Sequence, residues 1–252
     1  MDFTLPGKKI EVGHVHPITQ FMRKIVGFFT QLGFEVVEGP EVETEEYSFD
    51  KLNIPKNHPA RDMWDTFWLK NDKPGSQNLP LRPHTSPVQL RAMETRKPPV
   101  RLIVPGRVFR HEATDARHET TFYQCEGLVI DKNVRMTDLI GVLKMLLQNI
   151  FGDVEIRVRP SFFPFVEPGI EVDMSCLLCK GKGCSVCGGD GWLEMLGAGM
   201  VHPVVLKNMG VDPKEYNGYA FGMGVDRLMM LHNKVTDIRL SYGGDLRFVK
   251  QF

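Results

Sequence analysis

The chain has no stretch approaching the ~18 consecutive apolar residues of a membrane-spanning helix, and its first residues, Met1-Asp-Phe-Thr-Leu-Pro-Gly-Lys-Lys, contain no apolar signal core. Both absences point to a cytoplasmic protein. It also lacks net charge: 31 Lys and Arg are matched by 31 Asp and Glu, so no general attraction to nucleic acid or an anionic membrane operates, and any RNA contact must be local or borrowed from a partner. No low-complexity tract or long charge block is present, which excludes a disordered chain. Cysteine is scarce and odd in number, five in 252 residues, and four of the five sit within twelve residues, which suits reduced thiols or a metal better than a disulfide framework.

What is present suits one sizeable core. A chain of this length buries roughly 70–75% of its surface on folding. Pro17 opens a helical pattern through Ile18, Phe21, Ile25, Phe28 and Leu32, and Gly33 is placed to end it. A strand-like Phe34-Glu-Val-Val37 and then Gly39-Pro40 follow. Residues 53 to 80 read as loop around an apolar insert, Met63-Trp-Asp-Thr-Phe-Trp-Leu69. Ser86-Pro87 offers an N-cap and first-turn proline for a helix reaching about Arg96, and Thr137 a cap for a helix ending before Gly152. Strands are predicted at Val100–Val104, Gly127–Ile130, Val154–Val158, Ile170–Met174 and Trp192–Leu196. Because helices and strands do not alternate regularly, the predicted class is α+β around an antiparallel sheet flanked by helices, a single domain over 1–252.

The densest chemistry lies between Arg107 and Glu126. Two strands joined by a loop put Arg110 and Glu112 on one face and Phe122, Gln124 and Glu126 on one face of the return strand. Such a face either is a solvated salt-bridge ladder or lines a polar pocket. Near the C-terminus, Gly218-Tyr-Ala-Phe-Gly-Met-Gly-Val-Asp-Arg227 reads as a strand entering a helix. That helix N-terminus, with Arg227 in its first turn, can attract phosphate, or the glycines can simply let helix and strand pack closely. Phe162-Phe-Pro-Phe165 can be a buried strand or can present Phe163 and Phe165 to one side.

Taken in order, Gly39-Pro40 after a long helix, Phe109-Arg-His-Glu-Ala-Thr-Asp115 and the terminal Gly-Met-Gly-Val-Asp-Arg resemble the three motifs of class II aminoacyl-tRNA synthetases. His84-Thr-Ser86, Phe162-Phe-Pro-Phe-Val-Glu-Pro168 and Gly197-Ala-Gly-Met-Val-His-Pro203 narrow the resemblance to the alpha-subunit family of bacterial phenylalanyl-tRNA synthetases, over nearly the whole chain. The resemblance implies activation of L-phenylalanine by ATP and Mg2+, then transfer to tRNA(Phe). It implies that Arg110 holds the α-phosphate, that Arg227 and His118 hold the rest of the triphosphate, and that Phe122 stacks on adenine. By the same resemblance Trp64, His84, Ser86, Glu112, Gln124 and Glu126 receive the polar end of phenylalanine, Phe163 and Phe165 its ring, and Ala220 the floor beneath the para position. Glu167 resembles the alpha-subunit ligand of a Mg2+ shared with a beta subunit, in a heterotetramer of two alpha and two beta chains. An isolated chain would pair as a homodimer near Gly39-Pro40. Members of the family usually begin with a helical arm that reaches tRNA, and this chain begins at the core, so the expectation is better activation than tRNA charging. Two rival readings are a related class II enzyme for another amino acid, such as phosphoserine, and a silent RNA-binding or assembly paralogue. Phe163 and Phe165 oppose the first, since an anion would want arginine or hydroxyls there. The intact Arg110, His118, Glu126 and Arg227 oppose the second.

Four cysteines form a separate feature, a tandem Cys-x-x-Cys-x-Gly-x-Gly at 176–191. Cys176, Cys179, Cys184 and Cys187 can bind structural Zn2+, remain free thiols, or oxidise in air. The same eight-residue unit occurs in four copies in DnaJ-type chaperones, and two copies within a synthetase-like chain do not suggest that role. Cys125, facing away from Gln124 and Glu126, is predicted to be a buried core thiol.

Overall fold

A computed structural model describes Thr4, Gly7 and residues 13–58, 61, 66–70, 78–185 and 187–252. In chain order come α1 (Pro17–Gln31), β1 (Glu35–Val36), the short α2 (Glu45–Ser48), a 3-10 turn (Asp50–Leu52) and a two-stranded ribbon of β2 (Trp68–Leu69) with β3 (Leu79–Pro80). They are followed by α3 (Ser86–Met93), β4 (Val100–Phe109), β5 (Thr121–Asp131), α4 (Met136–Phe151), β6 (Ile156–Phe163), β7 (Val166–Ser175) and β8 (Trp192–Val201). The chain continues through α5 (Pro203–Asn208), β9 (Asn217–Gly224), α6 (Val225–Asn233), α7 (Arg239–Tyr242) and α8 (Leu246–Val249).

Seven strands form one sheet in the order β1-β4-β5-β9-β8-β7-β6. Every pairing is antiparallel except that of the edge strand β1, which runs parallel to β4. The α+β reading therefore holds, with one parallel edge. On the rear face, Ile18, Phe21, Ile25 and Phe29 of α1 and Leu139, Leu143, Leu146 and Leu147 of α4 bury against Cys125, Val129, Phe221 and Met223. Each fully buried side chain of this size contributes roughly 1.5–3 kcal/mol, so the rear core anchors the sheet. On the front face, a second core of Phe49, Leu52, Ile54, Val88, Leu90, Val205 and Leu206 covers Leu102, Val104, Leu128 and Ile130. It leaves the part of the front face around Gly222 and Gly197 only partly covered.

Two predicted caps are corrected. Thr85, not Ser86, precedes the first turn of α3, because the Ser86 hydroxyl is drawn to a buried carboxylate instead. At α4 the cap is Arg135, whose N–H donates to Asp138, and Thr137 already lies inside the helix. The helix predicted to reach Arg96 ends at Met93. The hairpin strands run longer than predicted, since β4 and β5 pair without interruption from Val100–Ile130 to Phe109–Thr121. Gly33 and Gly152 do end their helices, at φ +81° and +80°.

Candidate active site

Antiparallel pairing places opposite residues on the same face, so the register of the sheet spells out the front surface. One row across it reads Gly106, Gln124, Gly224. The next reads Val104, Glu126, Gly222, Gly197, Glu171, Arg159, and the third Leu102, Leu128, Ala220, Gly199, Gly169, Ser161. Six glycines therefore share one face, giving a shallow trough floored by backbone. At all but Gly224, a Cβ would crowd a neighbour. A Cβ on Gly197 would stand 2.9 Å from the Phe163 ring, and one on Gly222 would stand 3.2 Å from Cγ of Glu126.

The polar end of the trough is built by residues 82–86, which are pinned across the hairpin. Arg82 Nε donates to the Arg107 carbonyl (2.8 Å), and its Nη1 donates to those of Gly39 (3.1 Å) and Pro40 (3.3 Å). Arg110 Nε donates to the Pro83 carbonyl at 3.1 Å. Glu126, buried, accepts from the Thr85 N–H (2.9 Å), the Ser86 hydroxyl (2.6 Å) and Gln89 Nε2 (3.0 Å). Desolvation raises its pKa, opposed by these donors. Ser86 and Glu126 are thus bonded to each other rather than both turned toward the trough. The buried Oε1 of Gln124, by contrast, has no hydrogen-bond partner among the described residues. A buried amide oxygen of this kind is set up to accept from a ligand.

Arg110 lies just beyond β4, its guanidinium carbon 5.1 Å from the centroid of the Phe122 ring and its Nη1 3.9 Å from Glu112 Oε1. At that distance the guanidinium lies directly on the ring as a cation–π contact, so the two form one continuous surface beside which a flat ring and an anion can be held together. Burial lowers its pKa, but a guanidinium keeps its charge. His84 is also buried, and desolvation, aided by the nearby Arg110 charge, brings its pKa down to about 3. It is a neutral imidazole at physiological pH.

In the hairpin loop, Asp115 accepts from the N–H groups of Arg117 (2.6 Å) and His118 (2.8 Å) and from the exposed His118 ring (3.0 Å). The His118 ring and these N–H groups lower the Asp115 pKa to about 2. The Ile238 N–H holds the loop from outside by donating to the Ala116 carbonyl at 3.0 Å. Arg227 follows Gly224, the N-cap of α6, and is exposed. Its helix is locked to β5 by the buried Asp226, which accepts from the Tyr123 N–H (2.6 Å) and the Tyr242 hydroxyl (2.5 Å).

At the other end of the trough the rings of Phe163 and Phe165 stack with centroids 5.9 Å apart and planes 19° from parallel. Phe163 lies over Gly197, whose row borders Ala220. The structure thus gathers Arg110, Phe122, Gln124, Glu126, Ser86, His84, Ala220 and Phe163 about one front surface, with Phe165 against Phe163 and Glu112, His118 and Arg227 at its rim. Trp64 lies outside the described residues. Glu167 is apart and exposed at the start of β7, with Oε2 3.2 Å from His202 Nε2. Arg82, Gln89 and Asp226 were missed from the sequence; only Gln89, one turn after Ser86 on the same helix face, carried a local signal.

The cysteines close a separate centre where β7 hands over to β8. The four Sγ atoms lie within 4.8 Å of one another, with Cys176–Cys184 at 3.8 Å and both Cys179–Cys187 and Cys184–Cys187 at 3.7 Å. Backbone N–H groups of Gly183, Cys184 and Gly191 point at these sulfurs at 3.1–3.2 Å. Cys125 is buried and free, as predicted.

Comparison with known proteins agrees with the geometry. The family model described as "tRNA synthetases class II core domain (F)" matches residues 1–252. The phenylalanine–tRNA ligase alpha subunit of Caldicellulosiruptor saccharolyticus is 51% identical over all of this chain and 73% of its own length. The alpha subunits from Pelodictyon phaeoclathratiforme and Macrococcus caseolyticus are each 52% identical over all of this chain, covering 74% and 70% of theirs. A pyrrolysyl-tRNA synthetase from Desulfitobacterium hafniense shares the fold, with a TM-score of 0.66 at 19% identity over 90% of this chain and 73% of that one. This chain belongs to the phenylalanine–tRNA ligase alpha-subunit family of the class II aminoacyl-tRNA synthetases.

Proposed function

We propose that the glycine trough is the site where phenylalanine and ATP meet to form phenylalanyl-adenylate and pyrophosphate, before phenylalanine passes to tRNA(Phe). The observation that carries the residue roles is the pairing of Arg110 with the Phe122 ring, next to the bare floor of Gly222 and Gly197. Adenine would stack on Phe122 with its α-phosphate on Arg110, while Arg227 and His118 at the rim take the β- and γ-phosphates. The substrate carboxylate attacks the α-phosphorus and pyrophosphate departs in line, so the protein supplies no nucleophile. Its part is positioning and charge neutralisation. Magnesium travels with ATP, held chiefly by phosphate oxygens and water, and adds positive charge there.

The ammonium group would settle against Gln124 Oε1, with the Glu126 carboxylate behind it and neutral His84 beside it. Glu112 is the more exposed carboxylate available to the same group. Phe163 and Phe165 would meet the substrate ring by edge-to-face contact, worth about 0.5–1.5 kcal/mol each beyond burial. Ala220 would limit what stands at the para position.

Structural Zn2+ suits the four cysteines. Tetrahedral sulfur ligands at about 2.3 Å from zinc stand roughly 3.8 Å apart, close to the Cys176–Cys184, Cys179–Cys187 and Cys184–Cys187 separations. Zinc would fasten the β7–β8 connection and take no part in the reaction. Glu167 offers a single exposed carboxylate, already shared with His202, so a Mg2+ there would draw its remaining ligands from a beta subunit. A heterotetramer of two alpha and two beta chains, or a homodimer of the isolated chain, is the assembly this reading carries. Phenylalanine-dependent exchange of pyrophosphate into ATP tests the reading, and Arg110→Ala should lower that exchange about 10²- to 10³-fold while leaving a folded protein.

A further inference from the structure

The two rings assigned to the substrate's side chain sit at the end of the sheet's last strand, where regular pairing fails. The β6–β7 ladder shifts register between Ser161 and Phe163, and the final pair is Phe163 with Val166. The β6–β7 ladder therefore fixes Phe163 weakly, while the carbonyl of Phe165, in the turn, accepts from the His202 N–H at 2.9 Å. The residue between them is held from outside the sheet. Asn53 Nδ2 donates to the carbonyl of Pro164, the residue between the two rings, at 2.7 Å.

Asn53 is itself rigidly held. It ends the 3-10 turn Asp50–Leu52 in the left-handed conformation (φ 63°, ψ 33°), which asparagine tolerates better than most residues. Phe49, Leu52 and Ile54 around it are buried in the front core, against which Phe165 packs. Asn208 Nδ2 donates to the Lys51 carbonyl at 2.9 Å from a different element. The same segment makes a second contact just before the turn, on β6, where the His58 ring stacks on Phe162 with centroids 6.4 Å apart and planes 13° from parallel. Residues 49–58 thus form a brace across 111 positions of sequence, and its polar end is Asn53.

We infer that Asn53 is a positioning residue that sets the stance of Phe163 and Phe165, and through them the affinity for the amino-acid side chain and its selectivity. It need not touch substrate. This rests on the assignment of the trough to phenylalanine, and wild-type exchange checks that assignment separately.

The test uses Asn53→Asp, which keeps the size and left-handed tolerance but sets an acceptor against the Pro164 carbonyl, and Asn53→Gly, which keeps the backbone and removes the side chain. In pyrophosphate exchange, Asn53→Asp should raise KM for phenylalanine about tenfold, with a smaller rise for Asn53→Gly, while KM for ATP stays within about twofold. The ratio of kcat/KM for phenylalanine over tyrosine should fall in both. If Asn53→Asp does not fold, Asn53→Gly decides. Wild-type KM for phenylalanine and wild-type selectivity in the folded variants would overturn the inference, as would equal loss for ATP and phenylalanine. A wild-type chain with no phenylalanine-dependent exchange, alone or with a beta subunit from one of its relatives, would instead overturn the site assignment beneath it.

Discussion

Gly197 shows how a residue without a side chain can define a pocket. Its missing Cβ makes room for the Phe163 ring, and Gly197→Ala would place a methyl carbon 2.9 Å from Cζ of that ring. The backbone accepts alanine there, since Gly197 is not among the positive-φ glycines. The ring must give way, at an overpacking cost of about 1–3 kcal/mol. Gly197→Ala is therefore expected to raise KM for phenylalanine about tenfold or more and to change KM for ATP less, as steady-state exchange will show. His84 gives a pH prediction. Its folded pKa of about 3 lies below the unfolded value of about 6.5, so its contribution to stability is complete above about pH 6.5 and is lost as pH falls toward 3. Denaturant unfolding between pH 7 and 4 should show the wild type losing stability relative to His84→Gln, by up to about 1.4 kcal/mol per pH unit. A constant difference between the two proteins would mean that His84 is not held neutral by its surroundings.

At the scale of elements, α1 and the β4–β5 hairpin were legible because their information is local. The spacing of Ile18, Phe21 and Ile25 specifies one helix face, which the structure continues through Phe29 rather than the expected Phe28, and alternation along the return strand separates Cys125 from Gln124 and Glu126 before any tertiary contact is known. Ser86 was misread as a cap because a serine before proline satisfies the local rule, while the competing carboxylate of Glu126 stands forty residues away in sequence. Asn53, Arg82 and Asp226 were not legible at all. Each acts by bonding to the backbone of a distant segment, and a backbone carbonyl or N–H leaves no mark in a sequence. The tandem cysteines lie between these cases. Their spacing named the candidate ligands, and only the folded β7–β8 connection brings the sulfurs to separations that suit a tetrahedral site. Protein purified without added zinc should carry one equivalent of the metal by elemental analysis, and Cys179→Ser should lose it. Chelation should lower Tm by roughly 5–10 °C with exchange activity preserved below that temperature. Zinc-free protein of unchanged Tm would leave the knuckle held by its own hydrogen bonds.

For the whole molecule, two cores grip the sheet from opposite sides, and the front core stops short of the trough. Elements far apart in sequence each supply one edge of it. Residues 82–86 close the polar end, the hairpin loop and α6 frame the outer rim, and the Phe163–Phe165 turn closes the apolar end. On the proposed assignment Ala220 and the two phenylalanines would exclude bulk better than they exclude one hydroxyl, because an apolar pocket rejects an added hydroxyl by only about 10²-fold. The most direct measurement is exchange of labelled pyrophosphate into ATP with the wild-type chain and with Arg110→Ala, using phenylalanine and tyrosine in parallel. Saturable exchange with phenylalanine, about 10²-fold weaker with tyrosine and about 10²- to 10³-fold weaker in Arg110→Ala, is the expected result. Folded protein that gives no phenylalanine-dependent exchange, alone or with a beta subunit from one of its relatives, would contradict it.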